Sequence, residues 1–374
     1  MSRLADKLAR LVESARPTVV DAHFEPSLET VRPWITVQTQ AGSCLVYRKE
    51  VPLDLSAECT DFDQWVGDSR LSGFCLDKAL FLDIETTGLS SGAGTIAFLI
   101  GLAFVENGKL ILEQLFLDDP VNEAPLLEHL LNRVNQAQYL VSFNGKSFDL
   151  SILQSRLVIT RLLSQPESEL KLRPHLDLLH VSRSAYRGVF ANGRLQTLER
   201  EVLGHPEHLR ADDIPGSLIP TVYFHFLQSS DTRQLGTVLR HNEIDVVSMV
   251  ELTLHLATLF PNPPKETHPL VLLNLGKTAL RLKQNERAAC LLSRAADACG
   301  LTPDHRYQAL ELLVSAYRRA GNLEAALSAA QRSLQWLPQW AAMEDKKWRR
   351  RIQLYSGRIA RRKRVAVKPP PLLT

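Results

Sequence analysis

The stretch Ala79-Leu-Phe-Leu-Asp-Ile-Glu85 constrains the fold more than any other, because it sets two carboxylates inside an otherwise apolar, strand-like run. Side chains alternate across a strand, so Asp83 and Glu85, two residues apart, turn toward the same face. Like charges placed this way raise each other's pKa and destabilise the sheet unless a basic partner or a bound cation compensates them. No basic side chain lies within the motif. For this motif alone the plainer reading, two acids facing solvent at a strand end, stays open.

The neighbouring sequence supplies the rest of a sheet. Thr95 to Val105 and Lys109 to Leu117 are further apolar runs, and Glu106-Asn107-Gly108 between them has the composition of a hairpin turn. Beyond Asp118 the period becomes helical, with Leu126, Leu127, Leu130, Leu131 and Val134 on one face, and a short strand follows at Tyr139–Phe143. Helices are predicted over 150–158, 195–203 and 232–259, and an earlier strand at Gly42–Tyr47. This is an α/β pattern, a sheet covered by helices.

A length of 374 residues predicts more than one domain, and Pro261-Asn-Pro-Pro264 marks the boundary, since prolines cannot sit inside a helix. The sequence divides into an extension with some strand content (1–77), the sheet domain (78–260), an Ala/Leu-rich helical segment (268–340) and a basic tail (341–374). No apolar run reaches the roughly 20 residues of a membrane helix. The first residues place Leu4, Leu8, Leu11 and Val12 at helical spacing but include Asp6 and Glu13, unlike a signal peptide. Five scattered cysteines without a CxxC argue against a disulfide framework or a zinc site and fit a reducing cytoplasm.

The helical segment repeats. Leu272, Leu275, Gly276, Ala288, Leu292 and Ala295 align with Leu310, Leu313, Val314, Ala326, Ala330 and Ser333 at a constant offset of 38. The arrangement resembles tetratricopeptide (TPR) helix pairs, which implies a protein-interaction module; an undifferentiated helical bundle is the alternative. In the tail, Trp348, Ile352, Tyr355 and Ile359 share a helical face while Lys and Arg dominate the others. Such a helix can dock by its aromatic stripe and offer cations to a phosphate backbone; a solvated or partner-bound helix is the plainer reading.

Two further motifs carry acids. Ser142-Phe-Asn-Gly-Lys-Ser-Phe-Asp149 follows a strand and opens a helix, where Asp149 suits the positive helix end on electrostatic grounds alone. In His241-Asn-Glu-Ile-Asp245, residues four apart share one helical face, so His241 and Asp245 can project into a single site or be an exposed pair. Asp177 is read as the cap of the helix after it, with a fifth site acid as the alternative. Gly92-Ala-Gly94 lacks the ending of a phosphate loop and is read as a flexible turn.

In their fixed order the three motifs resemble the DEDD group of 3′ to 5′ exonucleases of the ribonuclease H-like superfamily, over about 78–259. The longer pattern, including Asp212-Asp-Ile-Pro-Gly216 and Arg240-His-Asn-Glu-Ile-Asp-Val246, resembles a bacterial family of predicted exonucleases that pair such a domain with tetratricopeptide repeats. The resemblance implies a ribonuclease H-like mixed sheet followed by an all-α TPR-like domain. It implies Asp83, Glu85, Asp149 and Asp245 as ligands of two Mg²⁺ or Mn²⁺ ions, hard ions suited to oxygen donors, with His241 beside them. Here a histidine stands four before the last Asp, where the tyrosine subgroup has its tyrosine, which leaves open whether His241 deprotonates water or only positions it. Implied substrate contacts are Thr86, Gly88, Leu89, Asn144, Lys146 and Asn242, with Gly88 and Lys146 equally readable as turn residues. The expectation is a metal-dependent nuclease on DNA or RNA, most specifically a 3′ to 5′ exonuclease. A weakly active nucleic-acid scaffold and a TPR adaptor are the rivals.

Overall fold

In the computed structural model, which describes residues 28–53, 60–88, 94–163, 170–337 and 344–366, the apolar runs pair into one mixed sheet. Among the described residues it has seven strands, β1 (Ile35–Thr39), β2 (Gly42–Val51), β3 (Ala79–Thr86), β4 (Ala97–Glu106), β5 (Lys109–Phe116), β6 (Tyr139–Ser142) and β7 (His175–Asp177). Their spatial order is β1-β2-β5-β4-β3-β6-β7, antiparallel as far as β3 and parallel from β3 through β6 to β7. The β4–β5 hairpin turns at Asn107 and Gly108, both left-handed with φ of 53° and 76°, the backbone an Asn-Gly hairpin uses. The extension contributes β1 and β2 to this same sheet.

Helices cover both faces. The helices of the first part are α1 (Glu123–Gln136), α2 (Asp149–Ile159), α3 (Leu178–Tyr186), α4 (Leu195–Glu201), α5 (Ile219–Ser229) and α6 (Leu235–Leu259). Leu80, Leu82 and Ile84 of β3 share a core with Leu126, Leu127 and Leu130 of α1 and with Leu153 of α2. Ala79 and Phe81, on the other face, share theirs with Val246, Met249 and Val250 of α6. Asp83 and Glu85 extend that second face, so the strand's own alternation carries both acids to the side of α6.

The expected strands and long helices are present, with α6 starting at Leu235 instead of 232. β1, β7 and α5 were not anticipated. The helical expectation for 4–12 and the turn at Gly92 lie outside the described residues. Cys75 is disulfide-bonded, to a partner outside the described residues, whereas Cys44, Cys290 and Cys299 are free, so the cysteines are not uniformly reduced. No described helix is long and apolar enough to cross a membrane.

The helix-rich C-terminal region comprises α7 (Pro269–Arg281), α8 (Asn285–Asp297), α9 (Pro303–Arg319), α10 (Leu323–Gln335) and α11 (Glu344–Ala366), each packed on the next. A Cβ at Gly276 would lie 2.6 Å from Leu292, so α7 and α8 approach most closely where the repeat carries its glycine. The prolines at 261–264 fall between α6 and α7, yet one apolar core runs from Phe81 and Val250 through Leu272, Leu292 and Leu310 to Trp348. Asn274 of α7 also donates to the Ala185 and Arg187 carbonyls, at 3.0 and 2.9 Å, beside α3.

The aromatic stripe of the tail is the docked face of α11. Trp348 and Tyr355 are buried, and the Trp348 indole N–H donates to the Tyr307 hydroxyl at 2.8 Å. Truncating a buried tryptophan removes about 3–5 kcal/mol of packing, more than a peripheral helix holds in reserve. Trp348→Ala is therefore expected to raise backbone hydrogen exchange across 344–366 while leaving β3 and β4 protected; unchanged exchange in α11 would contradict this anchoring.

Candidate active site

Asp83 pairs across the sheet with Gly101 of β4, and Gly101 with Gln114 of β5. Asn242 of α6 lies across this row. Its side-chain amide donates to an Asp83 carboxylate oxygen at 2.9 Å, and its oxygen accepts from Gln114 Nε2 at 2.9 Å. A Cβ on Gly101 would stand 2.2 Å from that oxygen, so only glycine admits the amide. Asn242 is fully buried, and its bonds tie α6 to β3 and β5.

One residue away, His241 faces the acids. Its Nε2 is 3.8 Å from Glu85 and 3.7 Å from Asp245, while its Nδ1 is 2.6 Å from Asp213. Asp213 lies in the connection between α4 and α5 and also binds Arg210 at 2.9 Å. Arg210 forks onto both oxygens of Glu199 at 2.6 Å and reaches Oδ1 of Asp245. Arg210, Asp213 and Glu199 were not singled out as site residues; the Asp-Asp-Ile-Pro-Gly motif held the signal without its role.

The second motif is held by backbone donors. Asn144 takes a left-handed φ of 70°, and Asp177 accepts from the N–H groups of Asn144 (2.9 Å), Lys146 (3.3 Å) and Leu179 (3.1 Å). Asp177 thus caps α3 as expected and also fixes the turn that leads into Asp149. Gly145 packs against Ser142 and Asp149, and Ser142 bonds His175, whose burial pushes its pKa down to about 3 and keeps the ring neutral. Asn144 and Lys146 are exposed at this turn, and Thr86 is buried with its hydroxyl donating to the Gly88 carbonyl at 2.7 Å. Leu89 lies outside the described residues.

Burial decides the electrostatics. It raises Asp83 and Glu85 well above the carboxylate range, and the charges of Asp245 and Asp149, with Asp83 acting on Glu85, push the same way. Burial, then Asp177, lifts Asp149 to about 7. Asp245 is raised by burial even though His241 and Arg210 oppose it. For His241 burial favours the neutral ring, but Asp245, Asp213 and Asp83 outweigh it and hold the pKa above its ordinary value. Asp149, only 7% exposed, stands apart from the other deeply buried acids. Glu113, Glu123 and Glu199 have arginine partners and Asp177 has backbone N–H groups, whereas among the described residues neither Asp149 nor Asp83 has a cationic side chain within ion-pair distance.

Four oxygen-donor acids with surplus negative charge suit a hard divalent cation by the chemistry of the donors. Among the described residues no three His, Cys, Asp or Glu side chains already stand as a closed ligand group.

Comparison with known proteins agrees with the fold. Residues 80–257 match the RNase H superfamily model RNase_H_2. The chain is 33% identical over 260 residues to the uncharacterized protein YprB of Bacillus subtilis (strain 168), covering 68% of this chain and 60% of that protein. This chain therefore spans less than two thirds of that relative. A family B DNA polymerase structure from the hyperthermophilic archaeon Pyrobaculum calidifontis aligns at 16% identity with a TM-score of 0.37, over 65% of this chain and 29% of the polymerase. The sheet and its flanking helices form a ribonuclease H-like domain, followed by the helix-rich region.

Asp149 gives a pH signature. From its ordinary 3.8 it rises to about 7 in the fold, so between those values the native state keeps a proton the unfolded chain has lost, and stability falls as pH rises through that window. Metal-free Asp149→Asn is expected to melt several degrees above the parent at pH 8, the gap closing by about pH 4, where both forms are neutral. Melting curves across that range check it; a gap independent of pH contradicts the assigned charge crowding.

Proposed function

We propose that this chain is a divalent-metal-dependent nuclease that removes nucleotides from the 3′ ends of DNA or RNA. The observation that carries the reading is that Asp83, Glu85, Asp149 and Asp245, from three separated segments, act on one another's pKa, with no ion-paired cation on Asp83 or Asp149 among the described residues. These four would hold Mg²⁺ or Mn²⁺. Such ions, when bound, would supply charge stabilisation for the attacking and leaving oxygens of a phosphodiester.

The protein's own groups do the rest. Ionised Asp213 can only accept, so His241 donates from Nδ1 and turns Nε2 toward Glu85 and Asp245, where it can take a proton from the attacking water. Arg210 ties Asp213 and Asp245 to Glu199 and fixes the spacing between base and acid. Lys146, exposed beside Asn144, would meet a phosphate, and Thr86 and Gly88 would border the terminal nucleotide together with Leu89, which lies outside the described residues. Helices α7–α10 would act as a TPR-like module for substrate or protein contacts.

The contact between Arg210 and Asp245 favours a second reading, a site that binds nucleic acid without turnover, because the arginine already occupies one carboxylate oxygen. End-labelled single strands separate the two. With Mg²⁺ or Mn²⁺ the parent protein should release mononucleotide from a 3′ label and leave a shortening ladder from a 5′ label. EDTA, Asp83→Asn or Asp245→Asn should abolish both. His241→Ala should lower kcat by about 10²–10⁴-fold. Asp213→Asn should lower kcat with KM little changed, and should alter which ring nitrogen of His241 carries the proton in ¹⁵N spectra. Binding without metal-dependent cleavage would establish the second reading, and internal fragments would replace exonuclease with endonuclease action.

A further inference from the structure

Helix α11 concentrates charge that the proposed catalytic site does not use. Residues 344–366 hold ten Lys and Arg against two Asp and Glu, a local +8 in a chain whose total is +3, which leaves a net −5 on the remainder. A polyanion approaching that remainder, and the acids of the site within it, meets repulsion. Cations set apart from those acids would offset that repulsion for a bound phosphate backbone.

The structure sorts the basic side chains of α11 into used and unused. Lys347 and Arg349 pair with Glu344 and Asp345, at 2.6 and 2.8 Å, and Arg351 lies 4.8 Å over the Trp348 ring. Lys346, Arg350, Arg358 and Arg361 are exposed and have no acidic partner among the described residues. At about 100° per residue these four fall within an arc of about 120°, on the side away from buried Trp348 and Tyr355. Lys346 and Arg361 stand about 22 Å apart along the axis, long enough to meet several phosphates. The anchor matters as much as the charge: Trp348 and its bond to Tyr307 fix the helix on α9, so the row is presented by an ordered element.

We propose that this face of α11 binds the phosphate backbone of a single-stranded nucleic acid, holding the strand outside the acidic site. A membrane surface fits less well, because an interfacial helix needs a free apolar face and that of α11 is spent on the repeats, with Leu354 the large hydrophobic left exposed. A protein interface fits less well too, since its energy resides in aromatic and arginine anchors seated in pockets, and here a convex row of cations projects into solvent. Contact of this kind is independent of base sequence and governed by released counterions.

The test uses the full chain carrying Asp83→Asn, in EDTA, so that cleavage plays no part. Binding to a labelled single-stranded oligonucleotide is followed by fluorescence anisotropy over a series of KCl concentrations, with and without the fourfold change Lys346→Gln, Arg350→Gln, Arg358→Gln and Arg361→Gln. Each cation on a single strand contributes about 0.7 to the slope of log K against log salt, so the fourfold variant should weaken binding and flatten the slope by up to about 3, with its melting temperature unchanged. An unchanged slope overturns the proposal, even if affinity falls. So does a variant that loses binding to phosphatidylserine vesicles while keeping the oligonucleotide. If the parent binds through α11 but never cleaves in metal, the nuclease reading fails and this one stands.

Discussion

A single buried amide couples the long helix to the sheet. Asn242 spans the row Asp83–Gly101–Gln114, giving Asp83 a donor and taking one from Gln114. A polar group this deep is costly unless fully bonded, so the bonds leave α6 one depth and one rotation on the sheet. Rotation is what the site depends on. His241, next to the locked residue 242, stands 3.8 Å from Glu85 and 3.7 Å from Asp245, and Val246, Met249 and Val250 continue the same seam in apolar form.

The buried acids fall into two classes. Glu113 has Arg133 and His129, Glu123 has Arg156, and Glu199 has Arg210; these are structural ions, compensated where they are buried. Asp83, Glu85 and Asp149 are shifted toward the neutral acid by burial and by neighbouring acids; among the described residues none has a lysine or arginine partner, and Glu85 has His241 Nε2 at 3.8 Å. A fold that neutralises three acids elsewhere leaves these three raised, and acids perturbed by burial and by one another cluster at functional sites. Asp245 sits between the classes, with one oxygen on Arg210 and the other facing His241.

Much of this was legible in the residues. β3, β4 and β5 announce themselves as apolar runs joined at Asn107-Gly108, and α6 as 25 residues without proline. β7 was not, because three residues after Pro174 are too few to show a period, and α5 was masked by Pro220, which occupies the first turn where proline does not break a helix. At the site, the acids could be read because their positions follow strand and helix periodicity. Arg210 and Asp213 could not, since they lie in an irregular connection whose path only tertiary packing sets. The burial of Asn242 was not legible: one residue along a helix is about 100° around it, so it points away from the direction His241 takes. The glycine in the middle of β4 was the available clue, as a strand interior gives up a side chain where something must approach closely.

The distribution of charge follows from the same constraint that shapes the site. On the proposed reading, acids that gather hard cations stay crowded, and Arg210 divides its N–H groups, Nε and Nη2 on Glu199 and Nη1 on Asp213, with Nη2 also reaching Asp245. A surface meant to hold a phosphate chain then has to be built at a distance, on an element whose own packing does not depend on those charges. α11 meets that condition: aromatic side chains fix it to α9, leaving Lys346, Arg350, Arg358 and Arg361 with no structural task. Separating the anchor from the charge allows the basic face to vary without loosening the helix, and allows the acidic site to stay acidic.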